Sequence, residues 1–268
     1  MQLHIRHETH YRYDEAVKRS VQNLRLTPRL DPMQRVVNWN ITSPGRRHAQ
    51  IDAYGNVVHL LTLDEPHHEI RIVVDGLVET LDSEFVPLPD EGRLSPMTYL
   101  AQTNLTKADD AIRSFAASRL NSSSSVEDRL LALANAVRER IEYVPGATEV
   151  HESAAQAFSR SQGVCQDHAH IFLACCRSAG VPARYVSGYL YTTHEGHVAS
   201  HAWVDAWMAE EQRWLSIDVT QGARAGGSYC RLAVGRDYLD ACPVRGVRRG
   251  GGKEKMEVAV LVSTAAQQ

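Results

Sequence analysis

The sequence predicts an α+β protein in which an N-terminal antiparallel β domain is followed by helices packed on a second antiparallel sheet. Short runs rich in Val, Ile, Leu, Tyr and Thr fill residues 1–80 and are separated by turn-forming residues. A proline-containing segment interrupts this pattern, and helical periodicity followed by three strand-like runs occupies much of the remaining chain. We therefore expect a β domain over residues 1–85 and a second, catalytic domain over residues 86–268.

Five runs predict the strands of the N-terminal domain: LHIRHETHYRY, VQNLRLTP, RVVNWNIT, NVVHLLTL and EIRIVVDGLVETL. Pairs such as Pro44–Gly45 and Glu65–Pro66 lie between these runs. Proline fixes one backbone angle and glycine accepts left-handed conformations, so both residues favour turns. A spacing of about 12 to 20 residues between such runs is typical of a small antiparallel sandwich or barrel.

A linker and two helices are predicted after the β domain. FVPLPDEGRLSP, residues 85–96, contains three prolines and one glycine, which disfavour regular structure. Thr106 with Asp109 predicts the start of a first helix. Ser124 with Glu127 forms a capping box ahead of a second helical segment, VEDRLLALANAVRERIEY. Apolar residues recur there at helical spacing and predict the face that packs on the core: Leu130, Ala134, Val137 and Ile141.

Composition and charge narrow the class of protein. The formal net charge is −3, which gives no general reason to expect binding to nucleic acid or to a membrane. No stretch approaches the roughly 20 apolar residues of a membrane helix, and the N-terminal MQLHIRHETHYRY carries charges where a secretion signal is apolar. Five cysteines, an odd number, fit reduced thiols better than a disulfide framework. We therefore expect a cytoplasmic protein.

The stretch SQGVCQDHAHIFLACCRSAGV predicts a helix that starts next to Cys165. Gly163 disfavours a helix interior, whereas QDHAHIFLACCRSA suits one and Gly180 predicts its end. At a helix N-terminus, free N–H groups and the helix dipole stabilise a thiolate and can also bind an oxyanion. Cys165 is therefore the candidate nucleophile, whereas Cys175 and Cys176 lie in mid-helix and are expected to be packing residues.

A thiolate nucleophile needs a base, and His201 in the predicted strand SHAWVDAW is the leading candidate. The next predicted strand, RWLSIDVT, contains Asp218. A two-residue turn would place His201 directly opposite Asp218, and a four-residue turn at Ala209–Gln212 would make them diagonal neighbours. Both registers let the carboxylate reach the imidazole, which predicts a triad of Cys165, His201 and Asp218. The alternative is a chance pairing of a strand histidine with an aspartate near a turn.

The neighbouring histidines and cysteines have competing interpretations. His168 and His170 lie in the predicted helix and are alternative bases, although local hydrogen bonds or a place in the cleft wall are the more ordinary roles. Cys165, His168 and the pair Cys230 and Cys242 could be assembled into a zinc site, but their spacing matches no zinc-binding pattern. The sequence therefore predicts no metal site.

The segments GVCQDHAHIFLACCRSAGVPARYVSGY, SHAWVDAW and WLSIDVT resemble the core of the transglutaminase-like superfamily. In that superfamily a cysteine begins a helix, and a histidine and an aspartate follow on adjacent antiparallel strands. RHETHYRYDEAV, LRLTPR, DAYGN and GLVET resemble the β domain of bacterial two-domain members, and the tail PVRGVRRGGG with its strand fits the same group of proteins. The resemblance covers nearly the whole chain and implies a papain-like α+β core with Cys165, His201 and Asp218 as its catalytic triad.

The resemblance also implies acyl transfer through a thioester on Cys165, with a peptide or protein amide as substrate and no cofactor. The calcium dependence of animal transglutaminases is not implied, because the sequence has no acidic metal-binding loop. A cysteine peptidase or amidase is the first expectation, since water needs no dedicated acceptor site. A protein-glutamine gamma-glutamyltransferase, which uses an amine acceptor, is the alternative. A non-catalytic binding module on the same fold is a third interpretation.

The sequence offers several candidates for the oxyanion hole and for the wall of the cleft. The backbone N–H of Cys165 is the first donor of an oxyanion hole by position. Related enzymes often take the second donor from a side chain upstream of the nucleophile, and Gln162 and Gln156 are both candidates. Trp203 and Trp207 share the strand face of His201 and either wall the cleft or belong to the core.

Overall fold

A computed structural model describes the chain in five stretches: residues 1–81, 88–89, 93–121, 123–192 and 200–264. The predicted domain boundary at residues 85 and 86 lies outside these stretches, as does part of the predicted linker. None of the helices in the five stretches has both the length and the apolar character needed to cross a membrane.

The N-terminal region is an antiparallel sheet built around one long strand, β1, at Gln2–Leu24. The next four strands are β2 at Gln34–Thr42, β3 at Arg46–Ile51, β4 at Val57–Leu63 and β5 at His67–Thr80. They lie in the order β2-β5-β1-β4-β3, and every neighbouring pair is antiparallel. The predicted antiparallel region is therefore confirmed, but the first two predicted strands merge into β1 across an irregularity between Arg12 and Val17.

Alternation along β1 decides which side of the first sheet is buried. Side chains at odd positions from Leu3 to Tyr13 are buried, and those at even positions are exposed or half-buried. One inward-facing side chain, His7, shares a hydrogen bond of 2.7 Å with the hydroxyl of Tyr189 in the second region. The inner face of the first sheet therefore contacts the second region directly.

Short elements connect the two sheets: β6 at Leu88–Pro89, a 3-10 helix at Pro96–Leu100, α1 at Asp110–Leu120, α2 at Val126–Arg140, β7 at Glu142–Tyr143, α3 at Ala154–Arg160 and β8 at Gln162–Gly163. Asp109 caps α1 by accepting a hydrogen bond from the Ile112 N–H. Ser125 caps α2 through the Asp128 N–H, one residue later than the predicted Ser124. The predicted core-facing residues of this segment are all buried: Leu130, Ala134, Val137 and Ile141.

The second sheet follows helix α4, which spans Cys165–Ser178. Its elements are β9 at Ala183–Leu190, β10 at Ser200–Met208, β11 at Arg213–Asp218, β12 at Ala223–Arg224 and β13 at Tyr229–Gly235, with helix α5 at Tyr238–Ala241 after them. The order is β12-β11-β10-β9-β13, all antiparallel, and β6 pairs with β11. The three predicted strands are β9, β10 and β11, and β13 is an additional one.

Helix α4 packs on this sheet and forms its core with β9, β10 and β11. Phe172 and Cys175 of α4 are fully buried in one cluster with Val204 and Ile217 of the sheet. Burial raises the pKa of the Cys175 thiol to about 12, and Cys176 is equally buried. The prediction that these two cysteines are packing residues is confirmed.

Two C-terminal strands, β14 at Val244–Gly250 and β15 at Glu254–Thr264, pair with β1. β14 lies along the second half of β1, and β15 lies along its first half, on the edge opposite β5. These residues belong to the predicted second domain, and in the structure they extend the first sheet. An isolated strand pattern does not reveal which distant sheet edge it completes.

Candidate active site

Helix α4 begins at Cys165, at the point where the chain leaves β8. The side chain of Asp167 accepts hydrogen bonds from the Val164 N–H at 2.8 Å and from the Thr148 hydroxyl at 2.6 Å. A Cβ added at Gly163 would lie 2.6 Å from the Cβ of Asp167, so only glycine leaves room for this cap. Asp167 therefore fixes the backbone on which the candidate nucleophile stands.

Cys165 is half-buried, whereas the other four cysteines are buried, and all five are free thiols. Its N–H belongs to the first turn of α4, where backbone donors have no acceptor within the helix. A negative charge on the sulfur or on a bound carbonyl oxygen is stabilised at such a position. The predicted placement of Cys165 at the start of a helix is therefore confirmed.

His201 and Asp218 are brought together by the hairpin of β10 and β11. Met208 pairs with Arg213 and Val204 with Ile217, so the turn is the four-residue alternative. In this register Asp218 is a diagonal neighbour of His201, and Nε2 of His201 lies 2.7 Å from Oδ2 of Asp218. This hydrogen bond agrees with one of the two registers that the sequence left open.

Cys165 lies close enough to act on the imidazole of His201, so the three side chains are neighbours in the structure. Because Nε2 binds Asp218, Nδ1 is the ring nitrogen that remains available to the sulfur. Burial disfavours the charged imidazolium, but hydrogen bonds and charge from Asp218 and Cys165 outweigh burial and raise the pKa of His201 to about 10. Burial likewise opposes ionisation of Asp218, yet His201 and further donors lower the pKa of its carboxyl.

Asp218 accepts three hydrogen bonds besides that of His201. The N–H groups of Thr220 and Gln221 bind Oδ1 at 2.9 and 3.1 Å. The hydroxyl of Tyr229 donates to Oδ2 at 2.7 Å. Sequence reasoning missed Tyr229, because it lies on β13, which is not adjacent to β11 in the sheet order.

The two helix histidines have structural partners. Nδ1 of His168 lies 3.0 Å from the Thr220 hydroxyl, and Nε2 lies 3.1 Å from the Ile141 carbonyl. Both ring nitrogens are thus occupied, and burial lowers the pKa of His168. His170 accepts a hydrogen bond from the Tyr238 N–H, and burial lowers its pKa to about 3. The structure therefore favours local hydrogen bonding over the role of base for both.

The two glutamine candidates for the oxyanion hole make hydrogen bonds with nearby residues. Oε1 of Gln156 accepts hydrogen bonds from the N–H and hydroxyl of Ser153 in the capping box of α3. Nε2 of Gln162 donates to Glu142 at 3.2 Å. Burial raises the pKa of the Tyr143 phenol, and the charges of Cys165 and Asp218 raise it further.

Trp203 and Trp207 have different surroundings. The Trp203 ring stacks on His201 with centroids 6.3 Å apart and an angle of 24° between the planes. Trp203 is almost fully buried, so it supports the imidazole from the core. Trp207 packs against Trp214 in a separate buried cluster. Both tryptophans are therefore core residues.

The described residues contain no set of three His, Cys, Asp or Glu side chains arranged to hold a metal ion. Of the residues considered for zinc, Cys230 and Cys242 are buried. His168 uses both ring nitrogens in the contacts given above.

Two family models match the chain. The model of the bacterial transglutaminase-like N-terminal region matches residues 3–79, and that of the transglutaminase-like superfamily matches residues 113–219. An uncharacterized protein of Mycobacterium leprae is 32% identical, covering 98% of this chain and 99% of its own length. A Pseudomonas aeruginosa protein named protein-glutamine gamma-glutamyltransferase is 30% identical over 141 residues, which are 45% of this chain and 21% of that protein.

A solved structure has the same fold over nearly the whole chain. The crystal structure of a candidate cysteine protease from Cytophaga hutchinsonii superposes with a TM-score of 0.80 and 21% sequence identity. The superposition covers 99% of this chain and 91% of that chain. Together with the family models, it confirms the expected α+β fold.

Proposed function

The chain belongs to the transglutaminase-like superfamily, and from this premise we propose that it is a cysteine-dependent acyl-transfer enzyme that hydrolyses amide bonds of peptides or proteins. Cys165, His201 and Asp218 are the proposed catalytic triad. The observation that carries the proposal is the 2.7 Å hydrogen bond between His201 and Asp218, with the half-buried Cys165 at the start of α4 acting on the same imidazole.

The first half of the proposed reaction forms a thioester. The Cys165 thiolate attacks the amide carbon, and the carbonyl oxygen becomes an oxyanion that the Cys165 N–H binds. The imidazolium of His201 then gives its proton to the leaving nitrogen as the C–N bond breaks. Asp218 holds the ring in place and stabilises its charged form throughout.

The second half releases the acyl group. His201, now neutral, takes a proton from water as the water oxygen attacks the thioester carbon. The C–S bond breaks, a carboxylic acid leaves, and the thiolate–imidazolium pair is restored. Water needs no binding site of its own, which is why hydrolysis is the first proposal.

The second candidate is transfer of the acyl group to an amine, as a protein-glutamine gamma-glutamyltransferase would do. The likeness to the Pseudomonas aeruginosa protein of that name favours it, although the likeness covers only 45% of this chain. The chemistry is the same up to the thioester, and only the nucleophile that resolves the thioester differs.

Two assays test these candidates. Incubation with peptide libraries that contain glutamine, with and without a labelled primary amine, should release ammonia or peptide fragments in the wild type and not in Cys165→Ala. Incorporation of the label would favour the transferase. A Cys165→Ala variant with full activity would contradict the mechanism. If the wild type shows neither reaction and its Cys165 is also inert to iodoacetamide, the result favours a non-catalytic binding module.

We further propose a cytoplasmic location. All five cysteines are free in the structure, as expected of a protein kept under reducing conditions. Cell fractionation, with an antibody against the protein and markers of each compartment, tests this proposal.

A further inference from the structure

Strand β13 has one edge paired with β9, and its other edge is met by side chains of the N-terminal region. The amide of Gln34, the first residue of β2, makes two hydrogen bonds to one residue of β13. Its Oε1 accepts from the Arg231 N–H at 2.8 Å, and its Nε2 donates to the Arg231 carbonyl at 2.7 Å. The backbone N–H of Arg29 binds that same carbonyl at 3.1 Å.

Asn56 repeats this arrangement further along the same strand. Its Oδ1 accepts from the Val234 N–H at 2.8 Å, and its Nδ2 donates to the Val234 carbonyl at 2.8 Å. Asn56 is fully buried, and Asp52 holds it by accepting from both its N–H and its side-chain amide. Two side-chain amides therefore supply, in the positions of a neighbouring strand, the donors and acceptors that this edge requires.

The segment before β2 makes an ionic contact with the same strand. Nε of Arg231 lies 3.1 Å from Oδ2 of Asp31. The other guanidinium nitrogens of Arg231 bind the buried carboxylate of Asp205 at 2.6 and 2.9 Å. Asp205 is on β10, the strand that carries His201. One arginine thus joins the N-terminal region, β13 and the strand of the candidate base.

Tyr229, the first residue of β13, completes the connection to the candidate site. Its hydroxyl donates to Oδ2 of Asp218 at 2.7 Å, the same oxygen that His201 contacts. Its ring meets Trp203 edge to face with centroids 5.2 Å apart. The phenol is thus held by Trp203 at its ring and by Asp218 at its hydroxyl. A shift of β13 would therefore move a donor to Asp218.

We propose that the N-terminal region is a positioning element for the catalytic aspartate, acting through Gln34 and Asn56 on β13 and through Tyr229 on Asp218. This inference rests on the proposed function, because it treats Asp218 as part of the triad. It identifies Tyr229, Gln34 and Asn56 as positioning residues, and it gives the β region an indirect part in the reaction.

The test measures alkylation of Cys165 by iodoacetamide over a range of pH, with intact mass spectrometry and thermal unfolding on the same samples. Tyr229→Phe removes only the hydroxyl that donates to Asp218. Without this donor the carboxylate is less stable, so its pKa rises. As the pH falls, Asp218 is then neutralised earlier, its stabilisation of the imidazolium is lost, and the Cys165 thiolate is protonated at a higher pH. We expect the acid limb of the profile to move to higher pH. The rate on that limb should fall by roughly 10-fold, as for one hydrogen bond to a charged group.

The matched control is Tyr54→Phe, which removes another tyrosine–aspartate hydrogen bond of 2.7 Å, to Asp240, outside the triad. Its alkylation profile should be that of the wild type. Gln34→Ala should shift the acid limb in the same direction as Tyr229→Phe but by less, because it acts through the backbone of β13. Gln34→Glu keeps an acceptor for the Arg231 N–H and should restore part of the wild-type profile.

The outcomes distinguish failure of the proposed function from failure of the positioning role. If wild-type Cys165 reacts no faster than a small-molecule thiol at neutral pH, the proposed function fails. If wild-type Cys165 is reactive but Tyr229→Phe leaves its pH profile unchanged, the positioning role fails and the proposed function stands. A shift in Tyr229→Phe with none in folded Gln34→Ala would overturn the part assigned to the N-terminal region.

Discussion

The carboxylate of Asp218 and the imidazole of His201 meet at 2.7 Å although the two residues are diagonal, not opposite, on neighbouring strands. Diagonal residues on one sheet face are about 7–8 Å apart at the Cα level, so both side chains extend towards each other to make this contact. The N–H groups of Thr220 and Gln221 hold the aspartate in that extended position. The contact therefore depends on the chain just after β11 as much as on the strands.

Replacing Asp218 with asparagine should leave the fold intact and remove most of the activity. Asparagine can still accept the two backbone hydrogen bonds, but its neutral amide does not stabilise the imidazolium. A loss of roughly 10⁴-fold in kcat is expected by analogy with other triads. Steady-state kinetics with thermal unfolding as a control measures it, and a loss below 10-fold would argue against the assigned role.

Cys165→Ala should abolish turnover without lowering the unfolding temperature, because its side chain is only half-buried. Cys175→Ala is the matched control, since it removes a thiol from the buried core. It should cost about 1 kcal/mol of stability while activity remains. Comparable activities in the two variants would contradict the assignment of the nucleophile.

The charged pair of His201 and Asp218 predicts how stability depends on pH. The pKa of His201 is raised from 6.5 to about 10, so the folded state holds this proton more tightly than the unfolded state. Its stabilisation is fully present below the unfolded pKa and is lost as the pH rises through about 10. The unfolding temperatures of the wild type and His201→Gln should therefore converge towards that pH. A constant difference from neutral to alkaline pH would rule this out.

Gly163→Ala should disturb the start of α4. The new Cβ would lie 2.6 Å from the Cβ of Asp167, so the cap on the Val164 N–H must move. A loss of about 1–3 kcal/mol is expected, with a larger fractional loss of Cys165 reactivity. Gly226→Ala, where an added Cβ meets nothing within 4 Å, is the control and should behave like the wild type. Equal effects of the two changes would contradict the steric argument.

Asp205→Ala should be the most destabilising of these changes, because it leaves the guanidinium groups of Arg184 and Arg231 without their buried carboxylate. Breaking such a buried pair costs about 3–5 kcal/mol. Asp64→Ala removes a surface carboxylate that contacts Arg19 and Arg46, and should cost less than about 1 kcal/mol. Urea unfolding of both variants measures the difference, and equal losses would contradict it.

Local patterns predicted those parts of the site that depend on neighbouring residues. The start of α4 followed from a glycine before a helical segment, and the pairing of His201 with Asp218 followed from strand alternation and turn length. Tyr229 and Gln34 could not be found in this way. Their roles depend on contacts with Asp218 and with the backbone of Arg231. Contacts between residues so far apart in the chain leave no periodic pattern in the sequence. The second oxyanion donor stays a prediction, since the local hydrogen bonds of Gln156 and Gln162 could not be read from the sequence either.

The pairing of β1 with β14 and β15 has a consequence for how the protein folds. Arg12 of β1 donates a hydrogen bond to Glu257 of β15, and the two residues are 245 positions apart in the chain. Contacts of such long range slow folding, because a large loop must close before they stabilise anything. During synthesis β1 emerges long before these two partners, so the first sheet can acquire its full set of strands only after helix α4 and the hairpin of β10 and β11 have been made.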